Sequence, residues 1–231
     1  MVSYTPSYVF KFLPTILAAL PVTLWVIFLT VLLGSLLGAG LAWVQVSFKS
    51  RGWVNVARTY VFVLRCTPPI VLLFLVFYGL PKFLAWWLHL EADDWSRTIF
   101  VIVTMVLLFA ASISEVFKSA YLAVPKGQLE AGLSVGMTGF QTFIRILLPQ
   151  AFKIALPNIT TAILNLMKDT ALAYTIGLVD VMGAGNLLIS RNLGNYSLET
   201  YTAVAFIYWG IALVLALVSY FMEHGFNKGN V

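Results

Sequence analysis

Charge is scarce in this chain. Asp, Glu, Lys and Arg make up only 10% of its 231 residues, against 61% apolar residues and a mean hydropathy of +0.93. Soluble domains carry charge at roughly a quarter of their positions, so an ordinary water-soluble fold is excluded. Cysteine is nearly absent. Cys66 stands alone in an apolar run, which forbids an intramolecular disulfide and fits a small packing residue. His89 and His224 lie far apart without ligand-type neighbours, so no metal site is expected. There is no GxxxxGK[ST] phosphate loop, and the chain is not expected to bind ATP. No CxxC, HExxH or Ser/His/Asp set appears, so no catalysis is expected of it. The N-terminus lacks a basic stretch ahead of a short apolar core, so a cleaved signal peptide is not expected. No internal repeat is visible, which counts mildly against an inverted-repeat secondary transporter.

What is present is a series of long apolar runs. Spans of about 20 residues cross a bilayer as helices, and five are expected, at roughly 21–46, 55–80, 97–119, 142–166 and 199–222. The fold class is therefore all-α and polytopic. Residues 1–20, interrupted by Pro6 and Pro14, read as a short segment at the outer interface. Residues 21–222 form the transmembrane domain and 223–231 a cytoplasmic tail. In the first span, Trp25 and Trp43 are spaced to mark two interfaces about 27 Å apart. Gly34 and Gly38 there form a small-xxx-small pair suited to close helix approach, or simply reflect how common glycine is in membrane helices. Pro81 and Trp86-Trp87 suggest a short surface helix after the second span, followed by a polar loop with Glu91, Asp93 and Asp94. The glycines Gly177, Gly183, Gly185 and Gly194 predict a broken segment over 168–195.

Basic residues set the orientation, because Lys and Arg resist translocation. With the N-terminus outside, the inner side holds eight: Lys49, Arg51, Arg58, Lys118, Lys126, Arg145, Lys153 and Lys228. The outer side holds four: Lys11, Lys82, Arg97 and Arg191. Five spans, N-terminus out and C-terminus in, follow. The net charge of +5 is thereby accounted for without a nucleic-acid partner.

A polar, glycine-rich island over 125–136 then faces the cytoplasm. Its sequence is Pro125-Lys126-Gly127-Gln128-Leu129-Glu130-Ala131-Gly132-Leu133-Ser134-Val135-Gly136. Small residues Ala131, Gly132 and Gly136 permit close approach to a partner, and Gly136 is able to take a positive φ and end a helix. Glu130 is either a docking charge or a solvated acid near a helix start. The spacing onward is Glu130-Ala131-Gly132, Gly136, Ile146 and Leu148-Pro149.

That spacing resembles the EAA loop of ABC importer permeases, with glycine in place of the second alanine. Arg65-Cys66-Thr67-Pro68, Leu73-Phe74, Tyr78 and Pro81 resemble the polar amino-acid uptake permeases. So do Leu148-Pro149-Gln150-Ala151, Leu156-Pro157, Lys168-Asp169-Thr170-Ala171-Leu172, Ile176-Gly177 and Asp180. Ala171 departs from the family's usual serine. Ser112, Val116, Lys118 and Ser119 depart from its third-span pattern. Leu20-Pro21-Val22-Thr23-Leu24 and Ser197-Leu198-Glu199-Thr200-Tyr201 are similar to cystine and related sulfur amino-acid permeases.

The resemblance implies a permease subunit in a bacterial plasma membrane, with a coupling loop at about 125–141. Its partners would be a second permease subunit, identical or a sister, two ATPase subunits that carry ATP and Mg, and an extracellular solute-binding protein. It implies ATPase coupling through Gly127, Glu130, Ala131, Gly132 and Gly136. The chain itself would bind no cofactor and no metal. Import of a basic or other polar amino acid (arginine, histidine, glutamine) is the neighbouring alternative, and an ion-coupled secondary transporter a more distant one.

Candidate path residues are Arg65, Thr67, Glu115, Asn165, Lys168, Asp169 and Thr170. An arginine well inside an apolar span must face protein or water. Arg65 either forks onto a substrate carboxylate or pairs structurally with Glu115 or with carbonyls freed by Pro68 and Pro69. Lys168 and Asp169, adjacent on a helix, point in different directions and are not expected to pair with each other. Asp180 either braces the glycine-broken segment or touches substrate.

Overall fold

A computed structural model describes residues 4–48, 50–90 and 94–227. Lys49, Glu91, Asp93 and Lys228, used in the readings above, lie outside the described residues, as do the first three residues and the end of the tail. The described chain is helical: α1 (Ser7–Leu17), α2 (Leu20–Ser47), α3 (Arg51–Cys66), α4 (Pro69–Leu88), α5 (Arg97–Ala123), α6 (Lys126–Ser134) and α7 (Gly139–Thr142). A π-turn (Phe143–Leu147) leads into α8 (Leu148–Thr170), a 3-10 turn (Ala171–Ile176), α9 (Val181–Arg191) and α10 (Ser197–Asn227). Five helical stretches are long and apolar enough to cross a membrane: Leu20–Ser47, Pro69–Leu88, Arg97–Ala123, Gly139–Ile176 and Ser197–Gly225.

The second span differs from the expected one. Pro68 and Pro69 lack backbone N–H groups, and a residue before proline is pushed to extended geometry. Thr67 and Pro68 accordingly take ψ of 124° and 134°, and the helix breaks between α3 and α4. The apolar span is α4 alone, and it runs on through Pro81 to Leu88, so no separate surface helix forms there. Cys66 sits exposed at this break rather than packed.

α5 is the centre of the bundle and packs on α2, α3, α4 and α8. Its buried side chains include Phe100, Val101, Met105, Phe109 and Ile113. Gly34 and Gly38 of α2 are both buried against it. Around this core lie Val26, Ile27, Leu73, Leu166 and Met167.

A second cluster joins α1, α9 and α10 through Val9, Phe12, Ile16, Val181, Ala203, Val204 and Ile207. α1 tolerates Pro14 and is held to the start of α10 at two points. The Thr5 N–H donates to buried Glu199 Oε1 at 2.7 Å, and Tyr8 stacks on Tyr196 at 4.0 Å between ring centroids. The segment after α8 is broken as expected, but not at every glycine. Gly177 and Gly194 have φ of 81°, whereas α9 runs through Gly183 and Gly185. Those two serve packing: a β-carbon would lie 2.5 Å from the Leu178 carbonyl oxygen at Gly183 and 2.7 Å from Val204 at Gly185. Asp180 braces this segment by capping α9, its Oδ1 accepting from the Gly183 N–H at 2.8 Å.

Candidate functional site

Two regions carry the candidate chemistry. The first is the polar island, which folds back on itself at one end of the bundle. Pro125 ends the extended exit from α5 and begins α6. Gly136, at φ 82°, turns the chain out of α6: its N–H donates to the Leu133 carbonyl at 3.0 Å, and the Met137 N–H to the Gly132 carbonyl at 3.1 Å. A capping box then starts α7. The Gln141 N–H donates to Thr138 Oγ1, and the Gln141 side-chain oxygen accepts from the Thr138 N–H.

The close approach that Gly132 permits is internal. A β-carbon there would lie 2.5 Å from Cγ2 of the fully buried Thr142. Gly127, Glu130, Ala131 and Gly136 are exposed. Glu130 forms no ion pair with any described residue; only its carbonyl is engaged, by the Ser134 hydroxyl at 2.8 Å. Three apolar side chains were missed in the sequence reading. Leu133, Val135 and Phe140 stand 48%, 74% and 72% exposed on this otherwise polar loop. The signal was there to be read, since an apolar residue on a water-facing island has no core to enter.

The second region is one face of α8. Asn158, Thr161, Asn165 and Lys168 are all exposed, and a helical period puts them within one quarter-turn arc. Asn165 and Asp169 line a small cleft of about 70 Å³ between α8 and α5, across from Ser112 and Met105. Amides, a carboxylate and an ammonium facing hydrocarbon would be costly, so this face looks onto water or protein. Asn158 and Thr161 belong to it and were not singled out in the sequence. Lys168 and Asp169 form no ion pair within 4 Å. Thr170 is turned inward, its hydroxyl donating to the Met167 carbonyl at 2.8 Å.

The other candidates stand apart from this cleft. Arg65 is exposed at the end of α3, without a hydrogen bond or ion pair to any described residue. The Thr67 hydroxyl donates to the Val63 carbonyl at 2.8 Å. The pairing of Arg65 with Glu115 does not occur. Glu115 is taken by Lys118 at 3.0 Å one turn along α5, and Lys118 also donates to Gln45 Oε1 of α2 at 3.0 Å. Arg65 lies on a different helix and has no share in that cluster.

Residues 31–228 match the family described as binding-protein-dependent transport system inner membrane component. The chain belongs to that family. The permease is 37% identical to the L-cystine transport system permease protein TcyL of Bacillus subtilis over 203 residues, 88% of this chain and 83% of that one. It is 34% identical to the probable amino-acid permease protein YxeN of the same organism, over 93% of this chain and 92% of that one. Among solved structures it superposes on a crystal structure of an amino acid ABC transporter with histidines at a TM-score of 0.82 and 26% identity, covering 96% of this chain and 99% of that chain. The permease is thus an integral, multi-pass inner-membrane protein of the amino-acid ABC importer permease class, a transport component rather than a catalytic one.

Proposed function

We propose that this permease imports a polar amino acid, cystine or a related sulfur amino acid, driven by ATP hydrolysis in a separate subunit. The observation that carries the substrate reading is the similarity to TcyL over most of both chains. The coupling reading rests on the exposed Gly127, Glu130 and Ala131 of α6 and Gly136 of the turn after it, on a loop that the Gly132–Thr142 contact holds against α7, just before α8.

Two permease copies, or this chain and a sister, form the path, and two ATPases dock on the α6 loops. The ATPases hold ATP and Mg; this chain holds neither. A solute-binding protein delivers substrate at the opposite end, which the excess of basic residues around the α6 end assigns to the outside. ATP-driven closure of the ATPases moves the two α6 helices together and tips the bundle between inward- and outward-facing arrangements. The polar face of α8 lines the path, where Asn165 and Asp169 offer an amide and a carboxylate to a zwitterion. Arg65, exposed on α3, faces the second subunit or the path and offers a carboxylate-binding fork.

The test is uptake of radiolabelled cystine, arginine and glutamine by proteoliposomes containing the permease with its copurifying partners. External binding protein is supplied, and lumenal ATP is present or absent. ATP-dependent accumulation of cystine supports the reading. Accumulation of arginine or glutamine instead moves the substrate within the same mechanism, and uptake driven only by an ion gradient overturns it.

A further inference from the structure

At the end of the bundle opposite α6, an open groove of about 300 Å³ runs between α1, the first turn of α2 and α9. Thr15, Ala18, Val22, Val179, Leu187 and Arg191 line it. It exists because α1 and α2 meet at an elbow of small residues, Ala18 and Ala19, that leave the space beside α9 unfilled. The Thr23 hydroxyl at the start of α2 accepts the Val181 N–H at 3.1 Å and fixes the spacing of the walls.

The walls are apolar, with Val179 and Leu187 47% and 44% exposed, and no carboxylate lines the groove. Arg191, at its rim, has no hydrogen bond or ion pair to any described residue. The groove lies beside the first residues of the Leu20–Ser47 span, the level at which hydrocarbon gives way to headgroups. Hydrocarbon, not water, fills an apolar groove at that depth. A guanidinium at its edge is matched by a phosphate, which it binds through paired N–H donors. An amino acid in transit fits poorly, because no carboxylate among the described residues lines the groove to pair with its ammonium group. The position of Arg191 in the last turn of α9 complements the helix dipole, but that leaves the groove itself unexplained.

We infer that this groove binds a phospholipid with an anionic headgroup, an acyl chain lying along Ala18, Val22 and Leu187 and the phosphate on Arg191. The site is separate from the polar face of α8 and does not depend on which amino acid is carried. A bound lipid there ties α1 to α9, the helix that follows the turn after α8, and so makes the setting of that segment sensitive to membrane composition.

The experiment uses the purified permease in nanodiscs of defined composition. Retained phospholipid is measured by native mass spectrometry after competition between phosphatidylglycerol and phosphatidylethanolamine. Wild type is expected to retain phosphatidylglycerol at least about fivefold over phosphatidylethanolamine. Arg191→Gln should abolish that preference and Arg191→Lys restore part of it. Ala18→Trp, at an exposed position that should not disturb packing, should displace lipid of both kinds. Equal retention of the two lipids by wild type overturns the inference, as does an unchanged preference in Arg191→Gln or undiminished retention in Ala18→Trp.

Discussion

Gly38 of α2 lies so close to Ile113 of α5 that a β-carbon on it would sit 2.3 Å from Ile113 Cγ2 and 3.0 Å from the Ala110 carbonyl oxygen. Gly34, one turn earlier, approaches Phe109 in the same way at 2.8 Å. Lipid supplies no hydrophobic force between helices, so close backbone contact has to hold them together. The Ala110 carbonyl cannot rotate out of the way as a side-chain end would. Gly38→Val is therefore expected to destabilise the bundle by about 1–3 kcal/mol. Gly40→Val, where nothing lies within 4 Å, should be near neutral. Unfolding midpoints of the purified proteins in detergent check this, and equal midpoints for the two variants would show that the α2–α5 interface is not limited by packing.

On the proposed coupling role, the loop over 125–141 separates a docking charge from a folding contact. Glu130 is exposed and forms no ion pair with a described residue, whereas Gly132 is pressed against Thr142. Glu130→Arg should leave membrane insertion and loop structure intact while abolishing ATPase association in a detergent pull-down. Gly132→Val should instead loosen the loop itself, read as faster protease cleavage between residues 125 and 141. Normal association of the Glu130 variant would remove that residue from the contact.

Much of this architecture was legible because membrane helices announce themselves by long apolar runs and because glycine spacing reports backbone approach. The count of five spans and the Gly34–Gly38 seam came through on that basis, as did the turn at Gly136, while the second span begins only at Pro69. The break at Pro68-Pro69 was half visible, in two successive prolines that free backbone carbonyls, yet the apolar residues on either side concealed that α3 and α4 are separate helices. Gly183 and Gly185 misled for a related reason: a glycine packed against a neighbour looks, in sequence, like one that ends a helix. The partner of Glu115 was misread. Lys118 stands three residues on in the expected third span, a neighbour by helical spacing, and it takes the carboxylate in place of Arg65. The polar face of α8 was half seen, because Asn158 and Thr161 are unremarkable until the helix places them in line with Asn165 and Lys168.

Arg97 and Gly177 form one unit. The Arg97 guanidinium donates to the Gly177 carbonyl at 3.0 Å, and a β-carbon on Gly177 would meet the same nitrogen at 2.8 Å. Gly177 also holds φ at 81°. Gly177→Ala should thus suffer twice, from a left-handed backbone costing about 1–2 kcal/mol and from displacement of the guanidinium. In an Arg97→Ala background only the first cost remains. A double-mutant cycle on unfolding free energy should show coupling of about 0.5–3 kcal/mol, the range for residues in contact. Simple additivity would mean that the bond does not hold the turn after α8 to α5.

Asp180 carries the pH dependence that this fold should display. Its residue is 1% exposed, and its Oδ2 has no hydrogen-bond partner within 3.5 Å among the described residues, while the buried hydroxyl of Tyr208 on α10 stands close enough to act on it. Burial pushes its pKa up from 3.8 to about 6, against the opposing pull of the Gly183 and Met182 N–H groups and the Tyr208 hydroxyl. No charged side chain contributes to the shift. Because the folded-state value lies above the unfolded one, the folded protein binds the extra proton between about pH 4 and pH 6. The associated stability is present in full below pH 4 and is lost as pH rises through 6. The difference is on the order of 2–3 kcal/mol. Asparagine caps a helix as well as aspartate does, and its side-chain oxygen keeps the bond to the Gly183 N–H without the buried charge. Asp180→Asn should therefore raise the unfolding midpoint at pH 7.5 and flatten its change between pH 5 and pH 7.5. A variant that is less stable than wild type at pH 7.5, with its pH slope unchanged, would mean that the ionised carboxylate is held by an interaction the amide cannot replace, and that the burial of Asp180 is not what sets its titration.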